Sequence, residues 1–169
     1  MHETGDVSTD EVAYWRSLLH IIEGEYDFAL QVPKPSKFMR PRFEFLQALA
    51  LARQSQFDKA SETVKAIDHR RFVSEFDKGL VYLAMDQSVD AVNLFDAVNS
   101  QYQRPLALEK SAEIFSKAGL HQAAGDCYAL AVKHQPFVDY RLIVLASFAY
   151  RRAGDAEMAA RFERLADAV

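Results

Sequence analysis

The sequence has few of the residues that form covalent crosslinks in a small fold, and few of those that build tight turns. Its one cysteine, Cys127, excludes an internal disulfide framework and a zinc site built from cysteines. Its 6 glycines and 5 prolines in 169 residues are about half of the usual share. A β-sandwich or barrel needs many such residues between short strands. Because the chain also has 25 alanines, its composition predicts an all-α protein.

Long hydrophobic runs are also missing. No apolar stretch approaches the ~20 residues that cross a bilayer. Residues 1–10 are polar and acidic, whereas a signal peptide needs a basic start and an apolar run. We therefore expect a flexible acidic tail over 1–10, a single helical domain over 11–169, and a cytoplasmic location. The net charge of −4 argues against a nucleic-acid surface, because phosphate binding relies on clustered positive charge.

One short pattern recurs five times: a flexible or small residue, four intervening residues, and an alanine. The first positions are Gly24, Ser55, Asp86, Gly119 and Gly154, and the alanines are Ala29, Ala60, Ala91, Ala124 and Ala159. Successive alanines are 31, 31, 33 and 35 residues apart. The first position must leave a helix in a left-handed conformation, which glycine adopts freely and aspartate tolerates. The alanine predicts the point where two antiparallel helices approach closely.

Apolar residues with helical spacing stand on both sides of every turn. The pattern therefore predicts about ten helices in five antiparallel pairs. Pro33 and Pro35 should cut short the second helix of the first pair, since proline disrupts a helix interior. Pro41 fits the first turn of the helix that follows.

These features resemble the tetratricopeptide repeat (TPR), a helix-turn-helix unit of about 34 residues. The residues that carry the resemblance most clearly are Gly79, Tyr82, Ala91 and Phe95 in the third unit and Ala112, Gly119, Ala124, Tyr128 and Pro136 in the fourth. The resemblance implies an α-solenoid of about five such units. It also implies a non-enzymatic adaptor or chaperone that holds a segment of another protein in a concave groove.

In the family, groove residues come from the first helix of each unit. The corresponding positions here are Tyr14, Leu18, Phe45, Leu49, Arg53, Phe76, Leu80, Glu109, Glu113 and Phe148. They contain no cluster of lysine, asparagine and arginine of the kind that clamps a C-terminal carboxylate. An apolar centre flanked by Arg53 and the two glutamates suits an apolar or amphipathic segment. The other interpretation, that Phe45 and Phe76 belong to the core, stays open.

Three further interpretations also stay open. Part of the chain resembles the small TPR chaperones of bacterial type III secretion, on the residues Ile67-Asp68-His69, Gly79-Leu80, Ala91, Arg104-Pro105, Ala112 and Ala124. Apolar residues in the last helix, Phe162 and Leu165 among them, would suit a self-assembling scaffold. The basic pairs Arg70-Arg71 and Arg151-Arg152 are the basis for a helical-repeat RNA binder.

The sequence offers no catalytic constellation. Cys127 and His134 share a predicted helix but lie about 10 Å apart along it, too far for the imidazole to activate a thiolate. The histidines lack the spacing of metal ligands on one helix, and the glycines do not form a phosphate-binding loop. We therefore expect no cofactor and no metal, and read Cys127 as a buried small side chain.

Overall fold

The computed structural model describes residues 9–31, 35–67 and 73–169, and these ranges form helices joined by short turns, without a strand. The helices are α1 (Thr9–Glu23), α2 (Tyr26–Leu30), α3 (Arg40–Arg53), α4 (Phe57–Ala66), α5 (Glu75–Ala84), α6 (Ser88–Asp96), α7 (Arg104–Lys117), α8 (His121–His134), α9 (Tyr140–Ala153) and α10 (Ala156–Asp167). The all-α prediction is confirmed. Residues 1–8 of the expected tail lie outside the described ranges, while Thr9 and Asp10 already belong to α1.

Each predicted turn has the left-handed backbone that its first residue was expected to adopt. The φ angles are +81° at Gly24, +77° at Gly119 and +83° at Gly154, with +61° at Ser55 and +62° at Asp86. In all five turns this residue donates its N–H to the carbonyl three residues back, and the next residue donates to the carbonyl five residues back. This is the Schellman pattern that ends a helix. The turn prediction is confirmed at every position.

The five alanines of the pattern are all buried, with exposed fractions between 0% and 4%. Each lies in the first turns of the second helix of its pair, where a larger side chain would push the helices apart. Their burial is what a close approach of paired helices requires, and α3 packs on α4 and α7 on α8.

The chain divides into two compact units, Met1–Gln87 and Ser88–Val169. The boundary lies between α5 and α6, so the third predicted pair contributes one helix to each unit. In the first unit α3 packs against α1, α2, α4 and α5. Its core contains Leu46, Val64, Ile67, Val73 and Val81, each at most 2% exposed.

The first pair has the short second helix that its prolines predict. Helix α2 has only 5 residues and ends at Leu30, although Pro33 itself lies outside the described ranges. Pro41 lies in the first turn of α3, where its missing N–H costs no hydrogen bond. Both expectations about the ends of these helices are confirmed.

In the second unit the helices pack in chain order, α6 on α7, α7 on α8, α8 on α9 and α9 on α10. Its core is centred on Tyr150, Leu142 and Ile143 of α9, together with Tyr128 of α8 and Phe162 of α10. The Tyr150 and Phe162 rings stack with their centroids 5.8 Å apart. Because Phe162 is buried here, it is not part of a free apolar end of the last helix.

Candidate partner-binding faces

In the first unit, each first helix contributes two apolar residues four positions apart, which therefore share a helix face. The pairs are Tyr14 and Leu18 on α1, Phe45 and Leu49 on α3, and Phe76 and Leu80 on α5. Phe45 is only 9% exposed and belongs to the core, so little of its surface is left for a partner. The other five are half-buried, and we call them the first-helix face of the first unit.

Tyr14 joins α1 to α3. Its ring makes an edge-to-face contact with Phe43 of α3, with the centroids 6.0 Å apart. Burial raises the pKa of its hydroxyl; Arg42 of α3 lowers it and Asp77 of α5 raises it, both through their charges. The first-helix face takes its residues from α1, α3 and α5, of which α3 packs against both others, and Arg53 is exposed at the end of α3.

Helix α1 also carries an exposed apolar stripe that the sequence interpretation did not assign to a site. Val12, Trp15, Leu19 and Ile22 are between 46% and 72% exposed. They follow a helical spacing and lie beside the face that packs on the unit. The signal was present in the sequence, but only the structure shows which of the two apolar sides of α1 is covered.

In the second unit the two predicted acidic residues are neutralised by neighbours that sequence reasoning missed. Arg141 donates two hydrogen bonds to the Glu109 carboxylate, at 2.5 and 3.0 Å. Lys110 donates to both carboxylate oxygens of Glu113, at 3.0 and 2.9 Å. Glu109 and Glu113 therefore present ion pairs rather than a free acidic flank.

Phe148, the last predicted groove residue, is 56% exposed on α9. The guanidinium of Arg152 lies over its ring, 6.0 Å from the centroid. The neighbouring Arg151 forms an ion pair with Glu163 of α10, and this contact is the main reason that the pKa of Glu163 is lowered. Both members of this basic pair are thus engaged within the unit, while Arg70-Arg71 lie outside the described ranges.

The side chains with catalytic potential are few. Cys127 is half-buried rather than fully buried; burial raises the pKa of its thiol and the charge of Asp126 raises it further. A thiol with a raised pKa is a poor nucleophile, because the thiolate is the reactive form. His134 is exposed at the end of α8.

One cluster in the described ranges has the chemistry of metal ligands. His20, Glu23 and Glu25 meet across the turn at Gly24, with one ligand atom of each within 4.8 Å of the others. No histidine spacing within one helix marks this cluster, because Glu25 lies beyond the end of α1. His20 Nδ1 already contacts the Glu25 carboxylate at 2.8 Å, and both glutamates are exposed. The cluster is accounted for as a surface hydrogen bond between His20 and Glu25 that closes the turn.

An open cleft between α8 and α10, which we call the C-terminal cleft, was also not predicted. Its two adjoining parts have volumes of about 360 and 510 Å³. The residues that line it include Ala129, Leu130, Val132, Lys133, Arg161, Phe162, Arg164 and Leu165. Only the packing of the last helices creates it, so no spacing in the sequence marks it.

The repeated helix pairs, their left-handed turns and their buried alanines define the class of the protein: it is a TPR-like all-α helical repeat by fold. Solved structures of MamA, a TPR-repeat protein, share this fold. One MamA structure aligns with a TM-score of 0.61 at 17% identity, covering 94% of this chain and 90% of that chain. A second, of a MamA mutant, has a TM-score of 0.59 at 16% identity, with coverages of 94% and 90%.

A third structure, MamA AMB-1, aligns with a TM-score of 0.58 at 17% identity, covering 95% of this chain and 91% of that chain. No protein-family model and no curated protein sequence matches the chain. The likeness confirms the predicted fold class, an α-solenoid of about five helix-turn-helix units. None of the described helices is both long enough and apolar enough to cross a membrane.

Proposed function

We propose that the chain is a non-enzymatic protein-interaction module whose first unit holds an apolar or amphipathic segment of a partner protein. The observation that carries the proposal is the first-helix face, where three neighbouring helices present the partly buried side chains of Tyr14, Leu18, Leu49, Phe76 and Leu80. Partly buried apolar and aromatic side chains on a rigid helical surface are the usual anchors for a bound helix or strand.

The charges around this face favour an apolar segment over a charged one. Arg53 is exposed at one end, and Arg42 and Asp77 lie near Tyr14, so positive and negative groups both border the apolar centre. A partner would be held mainly by the burial of its apolar side chains, worth about 25 cal/mol per Å² of surface removed from water. We place the protein in the cytoplasm, and we therefore expect its partner to be a protein present there.

The experiment compares three forms of the protein in a pull-down from the native cell extract: wild type, Leu49→Glu/Leu80→Glu, and the control Val89→Glu. Val89 is 76% exposed on α6, outside the face, so its change introduces a charge without touching the site. We expect wild type and control to retain the same partner, identified by mass, and the double variant to lose it.

Circular dichroism and urea denaturation must show that the double variant is folded. A folded double variant that retains the same partner would contradict the proposal. A secretion chaperone is one instance of this function, and the same experiment tests it, because a translocator protein would then be the retained partner.

A second candidate function, a self-assembling scaffold subunit, is favoured by the exposed stripe Val12, Trp15, Leu19 and Ile22 on α1. Four large apolar side chains on one side of a helix are the kind of surface that a second copy would cover. Light scattering coupled to size exclusion distinguishes the two functions. A monomer at every concentration would eliminate the scaffold, whereas a dimer that Trp15→Glu/Leu19→Glu dissociates would support it.

A further inference from the structure

The C-terminal cleft has an apolar floor that is incompletely covered. Phe162 forms its base at 8% exposure, while Leu165 and Leu130 are 41% and 43% exposed. Ala129 and Val132 lie between them on the α8 side. Small and branched side chains along one helix, facing a leucine on the next, leave a shallow channel into which larger apolar side chains can insert.

Both walls of the cleft carry positive charge. Lys133 stands on the α8 wall, and Arg161 and Arg164 stand on the α10 wall. All three are exposed, and none of them forms an ion pair with any carboxylate in the described part of the chain. The one acidic residue that lines the cleft, Asp126, lies in the same part as Lys133 and Arg161, and its carboxylate accepts a hydrogen bond from the Tyr150 hydroxyl.

From this arrangement we propose that the C-terminal cleft is a docking site for an acidic amphipathic helix of another protein. The apolar stripe of the partner helix would cover Leu165 and Val132. The carboxylates of the partner helix, on either side of that stripe, would meet Lys133 and the two arginines. Helix α10 has 12 residues, so it offers a wall about 18 Å long. A partner helix of about three turns would match that length.

A second copy of this chain fits the site less well, although α1 is acidic and has an exposed apolar stripe. Three of the carboxylates on or beside α1 are used within their own unit. Asp10 accepts from the Ser36 backbone at 3.0 Å, Glu25 contacts His20 at 2.8 Å, and Asp27 accepts from Gln54 at 2.7 Å. Docking α1 into the cleft would require those contacts to be given up, whereas a foreign helix brings uncommitted carboxylates.

This proposal is separate from the binding function proposed for the first unit. It concerns α8 and α10 of the second unit and a cleft with positively charged walls. The probe is a labelled synthetic helix of about 14 residues, about 21 Å long, with leucines at helical spacing and glutamates beside them. Its matched twins replace every glutamate by lysine, or every leucine by serine. Fluorescence anisotropy measures the binding of each to the full chain.

We expect the glutamate probe to bind, with an affinity that falls as salt is added, since exposed charges are screened. Both twins should bind at least about ten-fold more weakly. Arg161→Glu/Arg164→Glu should weaken the glutamate probe by about ten-fold or more, and Arg161→Gln/Arg164→Gln should weaken it less. The control Lys117→Glu, an exposed lysine outside the cleft, should leave the binding unchanged.

Equal binding of the glutamate and lysine probes would overturn the proposal, and so would glutamate-probe binding that a folded Arg161→Glu/Arg164→Glu chain retains. Two other results would reassign the cleft and also overturn it. One is a wild-type dimer, seen by light scattering, that Arg161→Glu/Arg164→Glu dissociates. The other is sedimentation with phosphatidylserine vesicles that the same variant abolishes while the probe does not bind.

Discussion

Gly125 lies directly beneath the ring of Tyr150. A Cβ atom built on Gly125 would stand 2.8 Å from Tyr150 Cδ1 and 2.9 Å from Cε1, closer than non-bonded carbons approach. The ring is held there, because the Tyr150 hydroxyl donates a 2.9 Å hydrogen bond to Asp126 on the same helix as Gly125. Helices α8 and α9 thus meet where one residue lacks a side chain and the other fills the space.

This contact predicts that Gly125→Ala destabilises the protein, although alanine is the better helix former. Overpacking of this kind costs about 1–3 kcal/mol, against about 0.5–1 kcal/mol gained in helix propensity. We expect a net loss of about 1–2 kcal/mol in the free energy of unfolding, measured in urea. The matched test adds the same change to Tyr150→Leu, whose smaller side chain removes the clash. If Gly125→Ala costs the same in that background, the contact is not the cause.

In the described ranges two residues other than glycine have a left-handed backbone, and replacing them by glycine should stabilise the protein. Ser55 and Asp86 have φ angles near +60°, which costs an L-residue roughly 1–2 kcal/mol. Ser55→Gly should therefore stabilise the protein by about 1 kcal/mol, and Asp86→Gly by less because aspartate tolerates this conformation. The mirror control is Gly154→Ala, whose added methyl meets nothing within 4 Å and so reports the backbone alone. It should destabilise the protein by about 1 kcal/mol, and a neutral result would show that the turns absorb the strain.

Because of the Tyr150 hydroxyl, we expect the protein to lose stability in alkali. Burial, followed by the hydrogen bond to Asp126 and its charge, raises the pKa of Tyr150 well above the ordinary value of 10.0. The unfolded chain therefore loses this proton at a lower pH than the folded chain, and the resulting stability is present below about pH 10 and declines above it. Tyr150→Phe should reduce this decline in urea denaturation between about pH 9 and 11. The exposed Tyr102→Phe should not change it, and identical profiles for all three proteins would refute the assignment.

Replacing Arg104, the first residue of α7, should lower the free energy of unfolding. Its guanidinium donates to the backbone carbonyls of Phe95, Asp96 and Val98, the last at 3.4 Å, and so satisfies the end of α6. Arg104→Ala should cost about 1–3 kcal/mol, because the part-buried carbonyls of Phe95 and Val98 lose this donor.

A matched control exists at the start of α3, where Arg40-Pro41 repeats the sequence of Arg104-Pro105. Arg40 is exposed, and its side chain makes no hydrogen bond to the described residues. Arg40→Ala should therefore change the free energy of unfolding by less than about 0.5 kcal/mol. Equal losses for the two variants in urea denaturation would mean that Arg104 acts through helix propensity and not through the carbonyls.

The sequence by itself determined the features whose cause is local. A left-handed turn depends on one residue's backbone and two hydrogen bonds within five residues, so Gly24, Ser55 and the other first positions could be assigned from spacing alone. The positions of the buried alanines could be predicted as well, because the helix after such a turn must pass close to the helix before it. The short α2 and the place of Pro41 were predictable for the same reason, since proline acts on its own helix.

Tertiary structure decided which of the predicted groove residues stay accessible and which charges stay free. Phe45 and Leu49 share a face of α3, yet only the packing of neighbouring helices makes the first a core residue. Glu109 is neutralised by Arg141, which is 32 positions away, whereas Arg161 and Arg164 have no such neighbour in the described ranges. Ion pairs and clefts depend on side chains from different helices meeting in space, and a repeat pattern records the helices but not which of their side chains meet.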